Sequence, residues 1–135
     1  MKLSVKSEYA CLALITLSEV YESGQLYSIT KIAESKDIPK KYLEQILLIL
    51  KHGGYVKSYK GPKGGYKLAK SPDKINVAEI IRLMDGALAP VESVSSYFFE
   101  HTPIEKSPKL LNVFREVRNY ISDTLEQLTF EELKE

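Results

Sequence analysis

A chain of 135 residues, 44% hydrophobic and 27% charged, suits one domain with a modest core, or a small domain plus an association element, and excludes a disordered polymer. Nothing in it approaches the roughly 18–20 apolar residues that span a bilayer, MKLSVKSEYA lacks a signal-peptide core, and the single Cys11 excludes an internal disulfide, so a reducing cytoplasm is expected. The net charge of +1 hides a division: residues 1–75 carry thirteen lysines, no arginine and seven acids (+6), whereas residues 76–135 carry six bases and eleven acids (−5). A basic front of this kind suits a polyanionic partner.

The first helix is predicted to start near Ser4 or Ser7, with Tyr9, Leu12, Ala13, Leu17 and Val20 at helical spacing and Gly24 as its stop. Cys11, between small apolar neighbours, is expected to be a buried filler. Ser28 is placed to cap a short second helix through Ile29, Ile32 and Ala33 that ends near Lys36. Asp37 and Ile38 make a tight connection, and Pro39 suits the first position of a third helix. Two short-linked helices of this kind suggest a helix-turn-helix. In the third helix Leu43, Ile46, Leu47 and Leu50 share one face, while Lys41, Gln45, Leu48 and His52 occupy the opposite pole with Glu44 beside it. Lysine can approach guanine acceptors, glutamine can bridge adenine and glutamate can accept from the cytosine amino group. A solvated amphipathic face would show the same residues, so this helix alone leaves both readings open.

Gly53 and Gly54 end the third helix, and Tyr55–Tyr59 alternates as a strand. Gly61-Pro62-Lys63-Gly64-Gly65 turns the chain, and Tyr66–Ala69 returns it. Lys57, Lys60, Lys63, Lys67 and Lys70 fall within residues 57–70, and no acid falls among them. Five like charges repel one another unless a polyanion meets them, and a cationic hairpin after a helix-turn-helix is the wing of a winged helix. Lys60 and Lys63, at the turn, are best placed to reach a phosphate or the minor groove.

Asn76 is expected to cap a helix from Val77 to Asp85, with Ile80, Ile81 and Met84 as its apolar side and Gly86 as its end. Residues 87–106 read as an irregular connector. Ser107 and Pro108 then open a long helix whose apolar positions are Leu110, Phe114, Val117, Ile121, Leu125 and Leu128. Their steps of 4, 3, 4, 4 and 3 make a narrow seam of about two and a half heptads, expected to form a dimer interface. Thr129 and Glu132 are spaced as a capping box for a terminal turn. The fold class is therefore mainly α with a small β-hairpin wing. Its parts are a DNA-binding winged helix-turn-helix over 1–86, a connector over 87–106, and a dimerisation helix with a C-terminal turn over 107–135.

At this point the chain resembles, throughout its length, the Rrf-two family of bacterial winged-helix regulators. The matching strings are MKLSVKSEYA, IAESKDIPKKYLEQIL, GGYVKSYKGPKGGYKLA, INVAEIIRLMDG and LEQLTFEEL. The resemblance implies a homodimer on a palindromic double-stranded DNA operator, with the long C-terminal helices crossing between protomers. By position it places base reading at Lys41, Tyr42, Glu44 and Gln45. Minor-groove insertion falls at Lys60 with Gly61 beside it, and Ser28, Lys40, Lys57, Lys63, Gly64 and Tyr66 complete the expected DNA-binding set. Many relatives carry arginine where Lys60 stands; a hydrated point charge inserts less selectively than a planar fork. Many relatives also hold an iron–sulfur cluster through three cysteines in the connector. Here that stretch contains none, with Ser93 and Thr102 near the thiolate positions, so the chain resembles the members without those cysteines and no cofactor is expected.

His101 with Glu100 and Glu105 could form a weak carboxylate–imidazole set, but no second histidine stands within ligand spacing, so no metal site is expected. Tyr97, Phe98 and Phe99 are expected to pack over the dimer helix, with a small-molecule pocket as the alternative. No phosphate-binding glycine loop, nucleophile elbow or metal spacing supports an enzyme. The expected function is a sequence-specific transcriptional regulator, a repressor by steric occlusion. The alternatives are a winged helix that docks an acidic protein, and a regulator that senses a small molecule or metal in the connector.

Overall fold

The computed structural model describes all residues, 1–135. Five helices, α1 (Val5–Glu19), α2 (Ile29–Ser35), α3 (Lys40–His52), α4 (Val77–Asp85) and α5 (Pro108–Gln127), accompany a two-stranded antiparallel hairpin, β1 (Val56–Tyr59) and β2 (Gly65–Leu68). Three 3-10 turns, Pro72–Lys74, Glu92–Val94 and Pro103–Lys106, punctuate the connections.

Helix α1 begins because Ser4 accepts a hydrogen bond from the Ser7 amide at 3.0 Å. Ala10, Ala13, Leu14 and Leu17 are buried, whereas Tyr9, Leu12 and Val20 flank the core rather than fill it. The expected single apolar face is blurred because α1 packs against α2, α3, α4 and β2. Small alanines allow that close approach, and two of the three polar residues on the buried side are hydrogen-bonded: Ser18 donates to the Leu14 carbonyl and Thr16 shares a hydrogen bond with Ser35, whereas the buried Ser7 hydroxyl has no partner. Asp37 adopts φ 54° between α2 and α3, and the Ile38 amide donates back to the Ala33 carbonyl. Pro39 is the N-cap residue rather than the first helical one. Its extended ψ of 126° directs its carbonyl to the Tyr42 and Leu43 amides.

The start of α1 is tied to the end of α4. The Ser4 amide donates to Asp85 Oδ2 at 2.9 Å and its hydroxyl donates to Oδ1. Burial raises the Asp85 pKa, but the two Ser4 donors outweigh it and hold the carboxyl below its ordinary range. The contribution of this contact is therefore complete above the unfolded carboxylate pKa of about 3.9 and is lost as pH falls through the lower folded value. Ser4→Ala is expected to destabilise the protein by about 1 kcal/mol at neutral pH and to flatten the loss of stability in acid. Urea midpoints measured between neutrality and strong acid check both; parallel acid profiles for the two proteins would remove the contact from the account.

Helix α4 carries a complete capping box: Asn76 Oδ1 accepts from the Glu79 amide, and Glu79 Oε2 accepts from the Asn76 amide, both at 2.9 Å. The other Glu79 oxygen accepts from the Tyr55 hydroxyl at 2.7 Å, joining α4 to the base of the hairpin. Only half of the expected box at the chain end forms. The Glu132 amide reaches Thr129 Oγ1 at 3.4 Å, but the Glu132 carboxylate accepts from the Thr129 hydroxyl rather than from the Thr129 amide.

Pairing of the Thr129 backbone with Asn76 brings the last turn into the core of residues 1–86. Val77 donates to the Leu128 carbonyl at 2.9 Å, Phe130 donates to the Ile75 carbonyl at 3.0 Å, and the Phe130 ring is fully buried. The C-terminal turn of the stretch 107–135 thus shares the core of residues 1–86. The apolar seam of α5 is divided as well. Ile121, Leu125 and Leu128, expected in the seam, are partly buried against the chain's own core. Leu110, Val113, Val117 and Tyr120, at steps of 3, 4 and 3, form an exposed stripe instead. The 20-residue helix is long enough for its two halves to face different surroundings.

Candidate nucleic-acid interface

Helix α3 sorts its residues by face. Leu43, Ile46, Leu47 and Leu50 have no exposed surface, and Lys40, Lys41, Tyr42, Glu44, Gln45 and Leu48 are all exposed. The buried leucines and isoleucine fix the rotation of the helix, so the exposed residues are presented as a rigid row. Tyr42 is only partly free. Its ring stacks on Tyr9 of α1 at a centroid distance of 6.2 Å, and the Lys41 ammonium lies 5.1 Å from its centre. Tyr9 was not among the expected site residues, and no periodicity in the sequence relates it to Tyr42.

The hairpin pairs Val56 with Leu68, Lys57 with Lys67, Ser58 with Tyr66 and Tyr59 with Gly65. Alternation puts Val56 and Leu68 in the core and Lys57 with Lys67 on the outer face. Tyr66 departs from expectation: its ring packs against the core, and its backbone pairs with Tyr27 through hydrogen bonds of 3.0 and 2.8 Å. Lys57 also stands apart from the turn, in a cleft beside Tyr21 and Glu22 of the loop after α1. Lys60, Gly61 and Lys63 occupy the exposed turn, where Gly61 has φ 99°. Gly64 is required there, because a Cβ would lie 2.0 Å from the Tyr59 carbonyl oxygen. Ser28 caps α2, its hydroxyl accepting from the Lys31 amide at 3.2 Å.

No ion pair involves the lysines of α3 or the wing; the acids that form ion pairs are Glu19, Glu105, Glu126 and Glu131, elsewhere in the chain. Tyrosine rings take the place of carboxylates. Lys67 lies 5.3 Å from the Tyr59 ring centre, Lys70 4.8 Å from that of Tyr55 and Lys31 5.1 Å from that of Tyr27. A ring quadrupole orients an ammonium without neutralising it, so the positive charge stays available to a phosphate. The arrangement can present hydrogen-bonding side chains to base edges and unneutralised cations to a sugar–phosphate backbone.

The comparisons agree with this geometry. Residues 3–135 match the family described as "Rrf2: Iron-dependent Transcriptional regulator". This chain belongs to the Rrf2 family of transcriptional regulators. It is 31% identical over 133 residues to the HTH-type transcriptional regulator CymR of Bacillus subtilis, covering 98% of this chain and 89% of the relative. The structure of CymR (YrzC), the global cysteine regulator of B. subtilis, superposes with a TM-score of 0.84 at 29% identity, over 98% of this chain and 95% of that one. IscR of T. potens superposes with a TM-score of 0.75 at 30% identity, over 98% of this chain and 86% of that one. The winged-helix fold and the function of a DNA-binding transcriptional regulator follow.

The iron in the family's description finds no matching donor set in this Rrf2 chain. Ser93 Oγ and Thr102 Oγ1 do come together, at 2.6 Å, but they are hydroxyls hydrogen-bonded to each other rather than thiolates. Burial, with the nearby Asp85 charge, raises the Cys11 pKa to about 11, so its thiol stays protonated. His101 Nδ1 lies 3.1 Å from Glu105 Oε1 on an exposed turn, and no three histidine, cysteine or acidic residues are grouped to hold a metal. These residues do not fit an iron or iron–sulfur centre.

The connector is instead laced by arginines. Arg118 donates to the Val94 carbonyl and to Ser96 Oγ, both at 2.8 Å. Arg82 reaches Glu126 at 2.9 Å and lies 4.7 Å from the centre of the Tyr97 ring. The expected packing of Tyr97, Phe98 and Phe99 over the long helix is not met within one protomer, where all three are exposed. The neighbouring Ser95 hydroxyl accepts the Phe98 amide, a turn that directs the three rings outward.

Proposed function

We propose that two copies of this chain bind a palindromic duplex operator and repress transcription in the cytoplasm by steric occlusion. The α3 helix of each copy enters a major groove, and Lys60 and Lys63 of each wing reach the backbone and the flanking minor groove. The observation that carries this reading is the fixing of two surfaces to one core: the exposed row Lys41, Glu44, Gln45 on α3 and the acid-free turn at 60–64. Pairing is supported by the apolar stripe Leu110, Val113, Val117 and Tyr120, which nothing in the protomer covers. Two-fold pairing would set the recognition helices about one DNA turn, ~34 Å, or a small multiple apart. No catalytic step is assigned to the protein.

Binding measured across salt concentrations tests the reading. Changing Lys60 and Lys63 together to Ala should weaken binding to every duplex alike and flatten the log–log salt dependence by about one for each phosphate no longer neutralised. Gln45→Ala or Glu44→Ala should leave the salt dependence unchanged and alter the ranking of operators recovered by selection from genomic fragments. A protein that tolerates the lysine changes and binds an acidic polypeptide instead of duplex would favour the docking alternative.

A further inference from the structure

The wing turn and the beginning of α2 enclose a cleft of about 270 Å3, lined by Leu26, Ser28, Lys31, Pro62, Lys63 and Gly64. Each of the other clefts in the protein contains at least one carboxylate: Glu105 beside the last 3-10 turn, Glu22 beside the hairpin base, and Asp85 with Glu92 near the N-terminus. This one is lined by two lysines and no acid. We propose that it seats one backbone phosphate diester in each half-site, held jointly by Lys31 and Lys63, an inference that rests on the operator-binding reading above.

The walls of the cleft are preset. Tyr27 and Tyr66 exchange two backbone hydrogen bonds, so β2 is joined to the residue that precedes Ser28. Gly65 makes that approach possible: a Cβ there would lie 2.6 Å from the Tyr27 carbonyl oxygen. The wing therefore cannot swing away from α2 without breaking this junction, and the two lysines are held on opposite sides of one gap. Both are exposed and neither is paired with a carboxylate. The Tyr27 ring orients Lys31 without cancelling its charge. The Ser28 oxygen accepts the Lys31 amide, which leaves the hydroxyl proton free to donate to a phosphate oxygen. Lys31 lies outside both the recognition helix and the wing, and its role depends on the Tyr27–Tyr66 junction rather than on position in the chain.

The test pairs protein variants with a neutralised backbone. An operator duplex selected by the intact protein is prepared with a single methylphosphonate at each backbone position in turn. Dissociation constants are then measured for the native protein, Lys31→Gln, Lys63→Gln, the double variant and Lys31→Arg. One position per half-site is expected at which neutralisation weakens native binding about tenfold, as loss of a charge-assisted hydrogen bond should. At that position Lys31→Gln and Lys63→Gln should each respond by about threefold, less than the native protein, because one of the two groups that share the phosphate remains. The double variant should bind more weakly than either single one and respond by less than about twofold at that position, and Lys31→Arg should keep the native response. Native-like affinity and salt dependence in Lys31→Gln, or full sensitivity of that variant at every position, would overturn the phosphate seat while leaving operator binding intact. Failure of the native protein to bind any duplex would overturn the operator reading and the seat with it.

Discussion

Replacing Phe130 by Ala should destabilise the protein by about 3–5 kcal/mol, although the residue stands five positions from the chain end and far in sequence from the winged helix. The ring is fully buried in the cluster formed by α1, α3 and α4, and its amide is bonded to the Ile75 carbonyl. Removing it deletes apolar packing and leaves a cavity that surrounding helices can only partly close. Domains of this size have a total stability of about 5–15 kcal/mol, so the variant should be largely unfolded at modest urea and lose duplex binding on warming. Urea unfolding followed by circular dichroism measures the midpoint. A shift worth less than about 1 kcal/mol, the range of surface changes, would show that the last turn is an appendage rather than part of the core.

Changing Leu110 and Val117 together to Lys should convert the proposed dimer into a folded monomer. These side chains are 43% and 40% exposed in the protomer, so the changes meet water rather than core. In a pair they would place like charges in an interface that otherwise buries apolar surface. Because two half-sites bound together gain from effective concentration, operator affinity should fall by about 10²–10⁴-fold, while binding to an isolated half-site changes little. Ile121→Lys provides the contrast: that residue packs on the chain's own core, so the expected result is unfolding rather than dissociation. Sedimentation of the purified proteins separates the two outcomes. A double-lysine variant that stays dimeric would move the interface elsewhere on the surface.

The two experiments bear on different levels of the same molecule. Phe130 probes whether α5 with its last turn and the DNA-binding core form one cooperative unit; Leu110 and Val117 probe what that unit does with the surface left over. Arg82 lies between them, bonded to Glu126 on α5 and set over Tyr97 of the connector. The three arginines of the chain all lie in residues 76–135, where two of them hold α4, α5 and the connector together, whereas the basic front uses lysine alone. Planar forks suit fixed multidentate geometry, and flexible ammonium groups suit a phosphate backbone whose oxygens need only charge nearby.

Much of this was legible in the residues. Ser4, Ser28, Asn76 and Ser107 mark helix starts because a short side-chain oxygen satisfies an orphan amide locally, and all four do so. The face of α3 was equally readable, since 3.6-residue periodicity separates Leu43, Ile46, Leu47 and Leu50 from the exposed row. The wing could be placed from its glycines and its lysines without acids. Helix α1 was less readable, because a helix surrounded on several sides has no single apolar stripe.

Local chemistry thus determined the helix starts, the wing, the charge division and the identity of the exposed row on α3. Tertiary structure alone decided that Phe130 belongs to the first core, that the α5 seam splits between self and exterior, that Tyr66 packs against the core, and that Lys31 and Lys63 line one cleft. The reason is physical: caps, turns and periodicity act within a few residues, whereas each of those four facts depends on segments distant in the chain meeting one another, which no local spacing encodes.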